Sequence, residues 1–88
     1  MYLRDVVEEP RFIQDFDGYR QLYANMDDVH RDITWTLSRD PRVGDPLDKA
    51  PDFRLYTTTA IGDTPAFWVL YTFDAERVYL YSLQRVTD

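Results

Sequence analysis

Between residues 52 and 83 three successive runs, the first alternating between apolar and polar residues and all rich in β-formers, are divided by turn residues, which predicts three β-strands. In the first run Phe53, Leu55 and Thr57 interleave with Arg54, Tyr56 and Thr58. Gly62-Asp63-Thr64-Pro65 interrupts it, and residues 67–73, rich in β-formers, make the second. Asp74-Ala75-Glu76-Arg77 reads as a hairpin turn into residues 78–84. Residues 10–40 follow a different period. Phe12, Ile13, Phe16, Tyr19, Leu22, Tyr23 and Met26 form one helical stripe; Val29, Ile33 and Leu37 form a second, narrower seam. Pro10 suits the first turn of a helix, where its missing N–H costs nothing. Asp27 or Asp28 is positioned to cap the second helix, and Asp40-Pro41 to end it. Trp35 falls off the seam, where it would cover a loop or an edge. Residues 2–7 are strand-like until Glu8-Glu9, and residues 41–51 read as a connecting loop without periodicity.

Helices packed on one side of a sheet give an α+β two-layer sandwich: an N-terminal strand, a helical hairpin, then a three-stranded antiparallel meander. Alternation assigns the faces. Phe53, Leu55, Phe67, Val69, Tyr71 and Phe73 should meet the helices; Arg54, Tyr56, Thr58, Trp68, Leu70 and Thr72 should face away. On the last strand Val78 and Leu80 should point in and Tyr79 and Tyr81 out, because Val and Leu bury no polar group.

The 88 residues (1–88) make one domain, enough for a single core layer but not for a deep cofactor cavity. Phe, Tyr and Trp reach 16% of the chain, which supplies buried area to a small fold. Ten Lys+Arg against sixteen Asp+Glu leave a net charge of −6, so direct nucleic-acid binding is disfavoured; a basic partner or a neutral pocket suits this charge better, and solubility alone also accounts for it. Cysteine is absent, which removes disulfides and thiolate metal sites. No apolar run approaches a membrane span and none of signal-peptide type opens the chain, so a cytoplasmic protein is expected.

The order strand–helix–helix–three strands resembles the RelE/ParE superfamily of bacterial type II toxins. The residues that carry the likeness are Leu37-Ser38-Arg39-Asp40-Pro41-Arg42-Val43-Gly44-Asp45-Pro46-Leu47 at the helix end and loop, Phe53-Arg54-Leu55, Phe67-Trp68-Val69-Leu70-Tyr71, and the final apolar strand. The resemblance implies a toxin paired with an antitoxin protein whose extended or helical segment wraps it. It departs at the basic positions of the family's ribonucleases. Tyr56 stands where Lys is common and Trp68 where the third strand carries Arg, and little follows Arg85.

The candidate partner-binding site is the open sheet face, Arg54, Tyr56, Trp68, Tyr79 and Tyr81, side-chain types enriched at binding hot spots. Three readings follow. The first is a toxin-type protein that acts by protein binding. The second is an atypical ribosome-dependent endoribonuclease, with Arg54 on phosphate and Tyr56, Tyr79 or Arg85 assisting. The third is a module that self-associates through its aromatic face. For RNA chemistry one arginine compensates little charge, and a tyrosine moves a proton only if its pKa of about 10 is lowered. Whether the protein is an enzyme stays open, with no catalytic residue assigned. No cofactor or metal is expected. Asp27, Asp28 and Asp32 read as a solvated helix start, and His30 lacks partner ligands.

Overall fold

A computed structural model describes residues 3–87 as an α+β fold in which two helices cover one face of a five-stranded mixed sheet. Strand β1 (Asp5–Glu8) leads into helices α1 (Pro10–Arg20) and α2 (Met26–Arg39). Strands β2 (Asp45–Pro46), β3 (Arg54–Thr57), β4 (Phe67–Phe73) and β5 (Arg77–Arg85) follow. The spatial order is β1-β5-β4-β3-β2, with β1 parallel to β5 and every other pair antiparallel. The segment expected to be only a loop therefore adds a two-residue edge strand. Of the predicted first strand, Tyr2 lies outside the described residues.

Pro10 does open α1, and Phe12 and Phe16 are buried beneath it. The apolar stripe predicted to continue to Met26 is divided between two helices. After Arg20 the chain turns, leaving Leu22 70% exposed, and Met26 is already the first residue of α2. Tyr19 and Tyr23 both rest edge-on against Phe67, with ring centroids at 4.8 and 6.1 Å. Neither Asp27 nor Asp28 caps α2. Asn25 holds the cap position and its side-chain amide instead donates to the Ile61 carbonyl, while the two aspartates occupy the first turn, favourably near the positive end of the helix dipole. The seam Val29, Ile33 and Leu37 is fully buried, and Asp40 before Pro41 leaves the helical conformation and ends the helix, both as the pattern predicts. Trp35 is exposed, with the Arg39 guanidinium 4.2 Å above its ring.

The core lies between the helices and the middle of the sheet: Phe12, Met26, Val29, Ile33 and Leu37 above, Phe67, Val69, Tyr71, Val78, Leu80 and Leu83 below. Strict alternation along β5 would have placed Ser82 in that core. A bulge prevents it: Tyr71 pairs with Leu80 but Leu70 pairs with Ser82, so Tyr81 is the extra residue. The phase shift turns Leu83 inward. Beyond Glu8, β5 has no strand on its β1 side, and α1 supplies acceptors there. Asp15 accepts from the Leu83 N–H at 3.1 Å and the Tyr19 hydroxyl from the Arg85 N–H at 3.0 Å.

Candidate functional site

Residues directly opposite one another in an antiparallel pair share a face, so the register decides what the open side of the sheet presents. Trp68 lies opposite Gln84, Leu70 opposite Ser82 and Thr72 opposite Tyr79; all stand opposite in phase to the buried Phe67, Val69 and Tyr71. Trp68, Tyr79 and Tyr81 therefore point away from the helices, as expected. On β3 the expectation fails. Arg54 pairs with Tyr71 and Tyr56 with Val69, which puts both on the helix side, whereas Leu55 pairs with Leu70 and joins the open face. Phe53 follows Leu55, and its ring meets that of Tyr81 at 5.2 Å.

The reversal has a physical cause. The helix side of β3 is not the oily centre of the core but its polar margin. There the Tyr56 hydroxyl donates to Asp32 of α2 at 3.0 Å, and Asp32 also accepts from the Thr36 hydroxyl. Thr58, expected to face away, is buried on this same side, its hydroxyl accepting the Phe67 N–H. Arg54 donates through Nη1 to the carbonyls of Arg42 and Gly44, at 3.1 and 2.7 Å. Next to it the fully buried Tyr71 hydroxyl donates to the Pro41 carbonyl at 2.6 Å and accepts from the Gly44 N–H at 3.0 Å. Arg54 and Tyr71 together dock the segment after α2 onto the sheet. Gly44 is required by that close approach, since a Cβ there would meet the Tyr71 hydroxyl at 2.6 Å and the Leu55 carbonyl oxygen at 2.7 Å.

These contacts change the chemistry on offer. Burial raises the Tyr56 pKa above its ordinary value of 10.0, a direction opposite to that needed for proton transfer near neutrality. Tyr71 is raised by burial too. Arg85 pairs opposite Phe67 and donates to the Tyr23 hydroxyl, at the other end of β4 from Arg54, and Tyr79 is on the opposite face from both. Arg54, Tyr56, Tyr79 and Arg85 thus do not converge on one point. What the open face does present is an apolar and aromatic surface: Phe53, Leu55, Trp68, Leu70, Tyr79 and Tyr81, each only partly buried or exposed. Tyr79 is held at its rim by a hydrogen bond to Asp74. The backbone N–H groups of Glu76 and Arg77 donate to that carboxylate and hold its pKa below the ordinary value.

No family model matches this chain, and no curated protein matches it either. The site must be judged on its own geometry. Sequence reasoning weighed His30 but missed its pairing with Glu8. His30 Nε2 lies 3.2 Å from the Glu8 carboxylate, beside a cleft of about 220 Å³ between the two helices and the end of β1. The Phe16 ring stands edge-on to the imidazole at 5.3 Å. Nothing in the local sequence joins positions 8 and 30; the packing of α2 against β1 brings them together. Among the described residues no cluster of three or more His, Asp or Glu side chains is arranged to hold a metal ion, and no helix is long and apolar enough to cross a membrane.

Proposed function

We propose that this chain is a RelE/ParE-like, toxin-type protein that acts by binding protein, with an antitoxin-type partner and a depleted ribonuclease site. The observation that carries the reading is the contrast across the sheet. One face is closed by helices, while the other leaves Trp68, Leu70, Leu55, Phe53 and Tyr81 with no element over them. A contiguous apolar patch of this kind on a small protein marks a site for a partner. The order β1-α1-α2 followed by antiparallel strands supports the family reading, because it is the order the resemblance calls for. Arg54, the side chain on which phosphate chemistry would rest, has its guanidinium committed to two backbone carbonyls. The binding surface is accordingly Trp68, Tyr79 and Tyr81 with Phe53, Leu55 and Leu70; Arg54 and Tyr56 serve it from beneath by fixing β3.

Inducible expression in a bacterial host, alone and together with the product of the adjacent small gene, tests the reading. Growth arrest relieved by co-expression is the expected result, with Trp68→Ala weakening the purified complex by about 2 kcal/mol, about 30-fold in Kd. Unimpaired growth together with no complex between the two products would overturn it.

A further inference from the structure

The sheet has two edges, and they differ. On one side it ends in β2, two residues of which one is Pro46, a short edge that offers little to another strand. On the other it ends in β1. The Asp5 N–H donates to the Glu76 carbonyl at 3.0 Å and the Glu9 N–H to the Leu80 carbonyl at 2.9 Å. Successive amides of a strand point to opposite sides, so those of Val6 and Glu8 point away from β5, out of the sheet. The Arg4 N–H, on that same outer side, is taken by the Ser38 carbonyl at the end of α2, 3.0 Å away. The open edge therefore starts immediately after Arg4.

It ends at the cleft beside His30. Glu8, Asp17 and Asp27 line that cleft with Arg20, and Ile13 and Phe16 give it an apolar wall. Glu8 is bonded to His30, and Asp27 to Arg20 at 3.2 Å, so these two carboxylates are held in place. Val6 and Glu8 pair with Val78 and Leu80, which sets their side chains on the helix side. A strand laid along β1 would set the side chain opposite Glu8 on that side as well, at the mouth of the cleft. Three carboxylates against one arginine and one histidine, above an apolar wall, suit a guest with an aliphatic stem and a cationic head.

We infer that the free edge of β1 is a docking site for an extended, basic protein segment, which extends the five-stranded sheet by one strand and lodges a lysine or arginine in the cleft beside Glu8. A second copy of this chain fits poorly, because β1 carries Asp5 and Glu8 with Glu9 following, and pairing it with itself sets like charges together. The inference uses neither the open sheet face nor the family likeness, and stands apart from the toxin reading.

The probe is an N-acetylated, C-amidated peptide of alternating valine and arginine, titrated into the isotope-labelled protein and followed by amide chemical shifts and hydrogen exchange. Shifts and slowed exchange centred on the Val6 and Glu8 amides are expected. They should be lost when alternate peptide nitrogens are methylated or when glutamate replaces arginine. Glu8→Gln should weaken binding about threefold. Val6→Pro removes an outward donor while leaving the bonds to β5, and should abolish binding; should that variant not fold, the methylated peptide tests the same hydrogen bonds. Unperturbed β1 amides, equal binding by the methylated peptide, or shifts confined to Trp68 and Tyr81 would each overturn the assignment.

Discussion

Strands β3 and β4 lie side by side with their paired residues on the same faces, yet they send residues of different kinds under the helices. On β4 the hydrophobic set Phe67, Val69 and Tyr71 goes under the helices; on β3 Leu55 goes to the open side and Arg54 and Tyr56 go under. Alternation fixes which residues travel together, not which face they travel to. The face is chosen by what lies beneath. The helix-side residues of β4 join one core cluster with Ile33, Leu37 and Phe12, where an unsatisfied polar group would be costly. Under β3 there are the Asp32 carboxylate and the carbonyls of Arg42 and Gly44, which a tyrosine and an arginine satisfy.

The widest separation between the strands should come from placing a charge on each. Val69→Asp buries a carboxylate in the apolar centre and should cost about 4 kcal/mol or more, whereas Leu55→Asp on the open face should cost about 1 kcal/mol. Urea denaturation of the two variants measures this, and equal losses would mean that Leu55 is as deeply buried as Val69. Gly44→Ala comes next. Its Cβ overlaps both Tyr71 and the Leu55 backbone, and a loss of about 3 kcal/mol is expected by the same measurement.

Tyr71→Phe strands the Gly44 N–H in a buried position and should cost about 2 kcal/mol, against about 1 kcal/mol for Tyr56→Phe at the more open margin. The same pair carries a pH signature. Both hydroxyls have pKa values raised by burial, so the stability they contribute is fully present below the ordinary tyrosine value of 10.0. It is lost as the pH rises through the higher folded-state values. Thermal melts taken from neutral to strongly alkaline pH should therefore fall more steeply for the wild type than for Tyr71→Phe. Parallel curves would detach Tyr71 from the alkaline transition.

A similarly small effect is expected at Arg54→Ala, which releases two carbonyls at a half-exposed site for about 1 kcal/mol. Its readout is local. Hydrogen exchange should quicken at Leu47, whose N–H donates to the Phe53 carbonyl, while the amides of β4 keep their protection. Quickened exchange throughout the sheet would show that Arg54 supports more than the loop.

Much of the fold was legible in the residues. The seam Val29-Ile33-Leu37 matches the buried face of α2, Pro10 and Asp40-Pro41 match helix limits, and the outward course of Trp68, Tyr79 and Tyr81 follows from the burial of their neighbours. Each of these depends on contacts within a few residues or on a fully apolar environment. The stripe that ran on to Met26 misled because a turn can fall inside an apolar pattern without breaking its spacing. The two-residue β2 has no period to read, and the bulge at Tyr81 appears only as a pairing mismatch with β4.

The candidate site divides along the same line. Sequence alone determined the two helices and every strand but β2, their order, the acidic charge and an aromatic supply sufficient for one core layer and one exposed layer. Tertiary structure decided that Arg54 and Tyr56 leave the open face, that Leu55 and Phe53 replace them, and that Glu8 meets His30. The reason is range. Helix period, proline stops and strand alternation are set by neighbouring residues, whereas the side a strand turns inward is set by polar partners distant in the chain. Until the chain has folded, no spacing of residues records where those partners will lie.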